Sequence, residues 1–283
     1  MLYKYGLSLL IFLTSFTHLC AQSTEIIPVQ IFQSPHLIHG HSSEFLTKGV
    51  MDFRINHRFG EIKSGMYDFF GADQATTSLS LEYGFTDNFM LGLRRSSLKK
   101  TYELFGKYRL MQQSVGEKDV PVSLGVHLNM AYMGEKWLYS ERDNLESSRY
   151  AYTSQLIIAR KFSEHISFQL LPTWVHRNLV KFKEEKNDLY ALGMGGSLKL
   201  NYRFALTFEY YWLNQVQSPS APTPYRNPIS VGLDIKTGAH VFQLFLSNST
   251  QVAEKGFIGE TTGDPFEGEI FFGFNISKAF SLK

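Results

Sequence analysis

The sequence predicts an all-β protein, a single transmembrane antiparallel β-barrel of about 12 strands with short periplasmic turns and longer extracellular loops. Three observations predict this fold. Apolar and polar residues alternate with a period of two over segments of about ten residues, the length at which a tilted strand crosses a bilayer. Short and long connections alternate along the chain, and aromatic residues collect near the strand ends.

The first residues predict export. Lys4 precedes the apolar run GLSLLIFLTSFTHLCA, which ends at the small residue Ala21, and this arrangement is typical of a secretory signal peptide. The run is too short and too close to the N-terminus to predict a membrane-spanning helix. We therefore predict a signal peptide over residues 1–21, a periplasmic N-terminal leader over residues 22–48 and an outer-membrane barrel over residues 49–283.

Cys20 is the only cysteine, and it leaves an alternative open, because it could be the acceptor of a lipoprotein anchor. The bulky Leu19 before it disfavours this alternative, since lipoprotein signals usually carry a small residue there. If cleavage follows Ala21, the mature chain has no cysteine, which excludes disulfides and cysteine-bound metals.

The composition excludes other classes of protein. The 28 Lys and Arg residues nearly balance the 26 Asp and Glu residues, whereas nucleic-acid-binding proteins carry a clustered basic surface. No stretch beyond the signal peptide has the apolar length of a membrane helix. No nucleotide, flavin or haem motif occurs, so no cofactor is expected.

The period-two segments continue almost to the C-terminus. They predict strands at 50–59, 75–85, 89–96, 101–111, 120–132, 150–162, 166–176, 188–200, 203–212, 228–236, 240–248 and 269–280. The segment GMGGS, residues 193–197, lies inside one of them, where glycine marks a close approach of backbone or a bend.

The strand predicted at 120–132 shows how the two faces differ. Apolar side chains occupy its even positions from Leu124 to Met130, and small or polar ones occupy the odd positions from Ser123 to Asn129. A charge at the middle of a lipid-facing side would cost about 2–4 kcal/mol, and almost none falls in the apolar register. We therefore expect the apolar face to meet lipid and the polar face to line a lumen.

The connections and the aromatic residues give the barrel a direction. Short connections are predicted at 86–88, 163–165, 201–202 and 237–239, and longer ones at 60–74, 133–149, 177–187, 213–227 and 249–268; the connections 97–100 and 112–119 blur this alternation. Aromatic residues that suit a lipid–water boundary lie near the outer strand ends (Tyr102, Tyr132, Tyr150, Trp174, Tyr190, Tyr210, Trp212) and near the inner ends (Phe85, Phe89, Tyr108, Phe162, Phe204, Phe280). A soluble two-sheet sandwich is the alternative fold, and strand length, aromatic belts and loop alternation together disfavour it.

The segments KGVMDFRINHRFGEI, FFGADQATTSLSLEYGFTDNFMLGLRRSS, FGKYRLMQQ, PVSLGVHL and GEIFFGFNISKAF carry a resemblance. The chain is similar, from about Ser34 to its end, to an uncharacterised Gram-negative family of outer-membrane β-barrel domains of unknown function. The resemblance implies a fold and a location, and it implies no catalytic residues. The C-terminus departs from the usual barrel ending, because three residues follow the aromatic Phe280.

The segment SPHLIHGHS places His36, His39 and His41 close together before the first strand. Neutral imidazoles are common zinc and copper ligands. Because no cysteine and no definite carboxylate joins them, we predict no metal site here. We interpret the three histidines as a coincidence or as part of a segment tucked into the barrel mouth.

Charged residues in the polar register are the predicted lumen-lining residues: Arg54, Arg58, Glu82, Arg94, Glu103, Lys107, Arg109, Lys199, Glu209 and Asp234. They allow two interpretations. One is a charged constriction that selects solutes, and the other is a network of opposed charges that fills a narrow barrel. The mixing of both signs favours the network.

These observations predict a passive channel or binding barrel for a small polar solute. The alternative is a structural or interaction barrel that presents its long loops. An outer-membrane hydrolase would need a Ser–His pair with an orienting group. His57 and His176 fall in the apolar register, which is expected to face lipid, and no Gly-x-Ser-x-Gly motif accompanies them. No catalytic residue is therefore predicted. The expected partners are outer-membrane lipid, the barrel-assembly machinery and the solute, and no nucleic acid.

Overall fold

The structure is a computed structural model that describes residues 25–137, 140–141, 143–213 and 223–282. The predicted signal peptide and Cys20 lie outside the described residues. The strands are β1 (Ile26–Pro28), β2 (Val50–Glu61), β3 (Ala75–Thr86), β4 (Phe89–Ser96), β5 (Thr101–Met111), β6 (Ser114–Gly116), β7 (Ser123–Met133), β8 (Tyr150–Lys161), β9 (Ile166–Arg177), β10 (Asp188–Lys199), β11 (Phe204–Leu213), β12 (Ile229–Thr237), β13 (His240–Ser247) and β14 (Phe271–Ser281).

Twelve of these strands, β2–β5 and β7–β14, form one closed barrel. Each pairs antiparallel with its neighbours, and β14 pairs back onto β2 with Asn275 opposite Asn56. Closure matters because a free sheet edge in hydrocarbon would leave backbone N–H and C=O groups without hydrogen bonds. The predicted single antiparallel barrel of twelve strands is confirmed.

Two differences from the predicted strands have local causes. β7 begins at Ser123 instead of residue 120, because Pro121 has no N–H to donate to the ladder. The strands β1 and β6, which the sequence analysis does not contain, pair with each other outside the barrel. Each has three residues, which is too short to show a period.

The two ends of the barrel differ in their connections. The turns 87–88, 162–165, 200–203 and 238–239 lie at one end, here called the short-turn end, together with the longer connection 112–122. The connections 62–74, 97–100, 134–149, 178–187, 214–228 and 248–270 join strands at the opposite, long-loop end; residues 138–139, 142 and 214–222 of these connections lie outside the described residues. The connection 248–270 contains a helix, α1 (Glu254–Gly259), and 3-10 turns lie at Ile62–Gly71, Leu98–Lys100, Glu146–Arg149 and Pro265–Glu267. Among the described residues, no helix has the length and apolarity to cross a bilayer.

The distribution of side chains between the two barrel faces is the inverse of that in a soluble protein. Leu93 and Leu128 on the outer face are 60% and 57% exposed, whereas Arg54 and Glu82 on the inner face are 1% and 0% exposed. Exposed apolar residues over a whole outer surface mark a surface that meets lipid instead of water. The soluble sandwich is therefore excluded.

Aromatic rings follow one another around both ends of the barrel. At the long-loop end the ring centroids of Tyr102 and Tyr132 are 6.5 Å apart, and those of Tyr132 and Tyr150 are 5.2 Å apart. At the short-turn end the rings of Phe85 and Phe89 are 5.9 Å apart. These positions are those of the two predicted aromatic belts.

The N-terminal segment differs from its prediction as a periplasmic leader. Residues 31–44 form a hairpin that lies inside the barrel, and we call it the plug hairpin. Its two ends emerge at the short-turn end, where Gly49 N donates to Gly84 O at 2.9 Å and Lys48 N donates to Asp87 Oδ1 at 3.0 Å. A short segment suffices to enter the lumen because a barrel of this strand number encloses only a narrow interior.

The inner wall is apolar on one side. A cluster on β8–β11 contains Ile157, Leu171, Val175, Leu189, Ala191, Tyr211 and Leu213, and Phe257 and Ile258 of α1 pack onto it. A second cluster joins Ile31, Phe32 and Leu37 of the plug hairpin to Ala159. Most of the buried charged side chains lie on the other inner strands, with Glu209 of β11 and Arg177 of β9 as exceptions, so the interior is a filled core with one more apolar and one more polar side.

Candidate functional site

The plug hairpin is held in its shape by its own backbone and by the side chains of Ser34, Ser42 and Glu44. Leu37 N donates to Gly40 O at 3.0 Å, and Ser42 N donates to Pro35 O at 2.9 Å. At the open end of the hairpin, Glu44 Oε1 accepts from the N–H groups of residues 31 and 32 at 2.8 and 3.1 Å. Burial raises the pKa of the Glu44 carboxyl group.

Lys107 of β5 is the main cationic contact between the wall and the hairpin. Its Nζ donates to three hairpin carbonyls, Pro35 O and Ser42 O at 3.0 Å and Glu44 O at 2.6 Å. An ammonium group has three N–H donors, and all three are used here. Burying this charge is tolerable only because each donor has an acceptor.

Other wall residues bind the tip of the hairpin. The carboxylate of Glu209 accepts from His39 N at 2.6 Å and from Gly40 N at 3.0 Å. Asn275 Nδ2 donates to Ile38 O at 2.9 Å, and Gln169 Nε2 donates to His41 O at 2.8 Å. The hairpin backbone thus bonds to side chains of the wall, and it adds no strand to the sheet.

The glycine-rich segment 193–197 makes room for the hairpin. Gly195 faces inward, and a Cβ at this position would overlap Leu37 Cδ1. The close approach predicted for the GMGGS segment therefore includes contact with the plug hairpin at Gly195. Two strands further along the wall, on β12, a Cβ at Gly232 would lie 3.2 Å from Ile38 Cδ1.

The helix α1 enters from the long-loop end and meets the plug hairpin inside the barrel. All six of its residues are buried. The ring of Phe257 lies 5.3 Å from the His39 ring and 5.4 Å from the Tyr211 ring. Glu254 Oε1 lies 3.3 Å from His41 Nε2. The lumen is therefore occupied from both ends.

The structure places most of the predicted lumen-lining residues in this filled interior. The buried ones are Arg54, Arg58, Glu82, Arg94, Glu103, Lys107, Glu209 and Asp234. Arg109 is half-buried at the short-turn end, with its guanidinium 4.4 Å from the centroid of the Phe45 ring. Lys199 is exposed at the same end.

The buried charges have partners in this arrangement. Arg94 Nη1 lies 3.2 Å from Glu103 Oε2 and 3.8 Å from Glu254 Oε1. Arg58 Nη1 donates to Asn275 Oδ1 at 2.8 Å, and its guanidinium lies 4.3 Å from the centroid of the Phe245 ring. Contacts of this kind correspond to the network interpretation of the polar register.

The three histidines of the N-terminal segment are buried in the lumen. His36 Nε2 lies 2.6 Å from Glu82 Oε1, and His39 Nε2 lies 3.1 Å from Ser247 Oγ. Burial, with nearby cations, lowers the pKa of each imidazole well below its ordinary value, so the three rings are neutral at pH 7.

Sequence analysis missed His127 and Glu254, which lie beside His41. His127 falls in the polar register of β7, and this was the signal available for it. Glu254 lies in the connection between β13 and β14, which shows no alternation of apolar and polar residues. Its hydrogen-bond partner on the wall, Asn129, is separated from it by 125 positions in the sequence.

The two histidines considered for a hydrolase do not face the lumen. The ring of His57 stacks on Phe274 on the outer face, with centroids 5.0 Å apart. His176 lies at the long-loop end, where its Nδ1 is 2.8 Å from Asp188 Oδ1. Trp174 Nε1 donates to the same oxygen at 2.9 Å, so these contacts belong to the rim of the barrel.

Comparison with known proteins agrees with this architecture. The family model described as "Membrane bound beta barrel domain (DUF5777)" matches residues 32–280, which confirms the resemblance seen in the sequence. No curated protein matches the chain.

Solved structures of outer-membrane proteins are similar to this chain at low sequence identity. An outer membrane channel from Pseudomonas putida F1 has a TM-score of 0.50 and 12% identity, with 84% of this chain and 98% of that chain covered. The KdgM porin has a TM-score of 0.47 and 10% identity, with coverage of 83% and 99%. The NanC porin has a TM-score of 0.48 and 8% identity, with coverage of 82% and 99%.

Proposed function

Since this chain belongs to the family of membrane-bound β-barrel domains, we propose that it is an outer-membrane channel for small polar solutes that its own chain closes. The plug hairpin closes the lumen from the periplasmic, short-turn end, and α1 closes it from the extracellular, long-loop end. Export by a cleaved signal peptide and insertion by the barrel-assembly machinery are part of this proposal.

The way the plug hairpin is bound is the observation that carries the proposal. Its backbone is held by side chains of the wall, chiefly Lys107, Glu209 and Asn275. No hydrogen bond between barrel strands has to break when it leaves. Each hydrogen bond lost on leaving is replaced by one to water, and the net difference is about 0.5–1.5 kcal/mol for a neutral pair and about 1.5–3 kcal/mol where one group is charged, as for Lys107 and Glu209.

Polar side chains of the wall support a water path once the lumen is open. Lys107, Glu209, Gln169 and Asn275 would then present their donors and acceptors to water and solute. Cationic and anionic groups occur together on the wall, as in the pair of Arg94 and Glu103. Because both signs are present, we expect weak charge selection and passage of small polar solutes of either sign.

Electrical recording in planar bilayers tests the proposal with three proteins. They are the full mature chain, a variant lacking residues 31–44, and a second variant that also has residues 250–262 replaced by a short Gly-Ser linker. We expect the mature chain to be closed most of the time, the first variant to open more often, and the second to conduct steadily. Heat-modifiable migration on gels reports whether each barrel has folded.

The double variant decides the outcome. If it is folded by the gel assay and still carries no current, the lumen is no channel and the proposal fails. Liposome swelling with sugars of increasing size then measures the size limit of an open lumen.

A second candidate function is an interaction barrel, and one observation favours it. Large apolar side chains stand in solvent at the long-loop end, where Tyr67 is 94% exposed and Phe266 is 97% exposed. Their loops are neighbours, because Lys63 Nζ lies 3.2 Å from Glu269 Oε1. Photo-crosslinking groups placed at Tyr67 and Phe266 in intact cells would capture a partner under this function, and none under the channel function alone.

A further inference from the structure

Three buried side chains from three different elements meet where the two closures touch. His41 comes from the plug hairpin, His127 from β7 and Glu254 from α1, and each is 0% exposed. One ligand atom from each lies within 4.8 Å of the others. The ring centroids of His41 and His127 are 3.9 Å apart.

Five polar atoms of this cluster have no hydrogen-bond partner among the described residues. They are Nδ1 and Nε2 of His41, Nδ1 and Nε2 of His127, and Oε1 of Glu254. A buried polar group left without a partner costs about 1–3 kcal/mol. Five such atoms in one place point to a bound species that satisfies several of them at once.

The chemistry of the donors identifies the class of that species. Two imidazoles and one carboxylate form a common ligand set for divalent transition metals, zinc above all. An imidazole binds metal only in its neutral form.

Neighbouring groups orient the three side chains. Asn129 Nδ2 donates to the other carboxylate oxygen of Glu254, Oε2. The ring of His36 lies 4.2 Å from the ring of His41, and His36 is itself bonded to Glu82. Hydrogen bonds to ligands and their neighbours are typical of metal sites in proteins.

The nearby charges tolerate a cation. Two buried cations are near: Arg94, 3.8 Å from Glu254 Oε1 and 3.2 Å from Glu103 Oε2, and Lys107, whose Nζ donates to the carbonyl of Ser42 beside His41. Three buried carboxylates, those of Glu82, Glu103 and Glu254, surround this region.

We propose that His41, His127 and Glu254 bind one divalent transition-metal ion, with zinc as the reference ion. A water molecule completes a four-coordinate site. The inference builds on the proposed function, because the ion would link the plug hairpin, the barrel wall and α1, and so hold the lumen closed. A metal that binds only the closed arrangement stabilises it by mass action.

Metal analysis of the purified full-length mature protein tests this site. The protein is stripped with EDTA, dialysed to equilibrium against zinc chloride, and analysed for bound metal. We expect one zinc ion per chain. With cobalt in place of zinc, we expect visible absorption bands of the intensity that four-coordinate cobalt gives.

Matched substitutions assign the ion to this cluster. His127→Asn and Glu254→Gln should each lower the zinc affinity at least tenfold. The controls are half-buried His240 and exposed Glu117, both at the short-turn end, and His240→Asn and Glu117→Gln should leave the zinc affinity unchanged. The proposal is overturned if the wild-type protein binds no zinc, or if all five proteins bind zinc equally well. If a variant fails to fold, the cobalt spectrum of the wild type shows whether the metal is bound with four-coordinate geometry.

The test is independent of the channel measurement. If the wild type binds zinc at this cluster but the double variant carries no current, the metal site is supported and the channel is not. If the double variant carries a steady current but the wild type binds no zinc, the channel is supported and the metal site is not.

Discussion

His41 Nε2 and Glu254 Oε1 lie 3.3 Å apart inside the barrel, although their segments enter it from opposite ends. Contact between the two closures means that neither can move far without changing the surroundings of the other. Opening of the lumen is therefore expected to be cooperative, with the plug hairpin and α1 leaving more readily together than singly.

Lys107→Met should increase the open fraction of the channel. The substitution removes three charge-assisted hydrogen bonds and leaves three hairpin carbonyls unpaired in the lumen. Hydrogen bonds to a charged group contribute about 1.5–3 kcal/mol each, and 1.4 kcal/mol is tenfold in an equilibrium constant, so the loss of three should raise the ratio of open to closed time by roughly a thousandfold or more in single-channel recordings.

Lys199→Met is the matched control for that substitution. It removes the same charge from an exposed position at the short-turn end. An equal rise in open fraction for both variants would show that net charge controls opening, and that the hydrogen bonds from Lys107 to the plug hairpin do not.

Gly195→Leu should displace the plug hairpin by filling the space that Leu37 occupies. Added volume in a packed interior costs about 1–3 kcal/mol, and the hairpin is the part of the interior that can yield. We expect faster proteolysis within residues 31–44 than in the wild type. Met194→Leu, on the next residue of the same strand, should leave the cleavage rate unchanged, and a Gly195→Leu rate equal to that of the control would contradict the packing described here.

Leu128→Arg and Leu200→Arg test which surface meets lipid. Both leucines are at least half exposed on the outer face, Leu128 in the middle of β7 and Leu200 just beyond the end of β10. The free energy of unfolding in phospholipid vesicles should fall by about 2–4 kcal/mol for Leu128→Arg and by about 0–1 kcal/mol for Leu200→Arg. Equal losses at the two positions would contradict a lipid-facing band.

The ion pairs of Glu260 predict an acid-sensitive contact at the long-loop end. Burial raises the pKa of this carboxyl group, but Lys255 and Lys99, with Nζ 2.8 and 2.6 Å away, outweigh burial and lower it to about 2. The ordinary value is 4.5, so the folded state favours the ionised form. Its stabilisation is complete above the ordinary pKa and is lost as pH falls through about 2.

Thermal unfolding of the wild type and of Glu260→Gln measures this effect. The wild type should unfold at the higher temperature at pH 7, and the difference should shrink as pH falls from about 5 to about 2. A difference that does not depend on pH would mean that the carboxylate charge has no part in the contact.

The strands could be predicted because each carries its own signal. A residue such as Leu128 between His127 and Asn129 shows within a few positions which face meets lipid. The closure of the lumen carries no such signal. His39 N and its acceptor Glu209 are separated by 170 positions, and neither the plug hairpin nor the six-residue helix α1 has a period.

The predicted site residues divide in the same way. Parity alone was enough to place Arg54 and Glu82 on the inner face. Parity does not show which groups they meet there, because their partners come from segments outside the strands, as His36 does for Glu82. His41 and the inward position of His127 could be read from the sequence, but the position of Glu254 and the meeting of the three could not.

Protection of the plug hairpin from a maleimide reagent tests the central claim most directly. In a Cys20→Ser background, Ser42→Cys places a thiol at a position that is 0% exposed, and Thr47→Cys places one just outside the barrel. For purified folded protein in detergent, the account predicts that the thiol at 42 reacts at least a hundredfold more slowly than the thiol at 47. Equal rates at the two positions would show that residues 31–44 do not occupy the lumen, and would contradict the account.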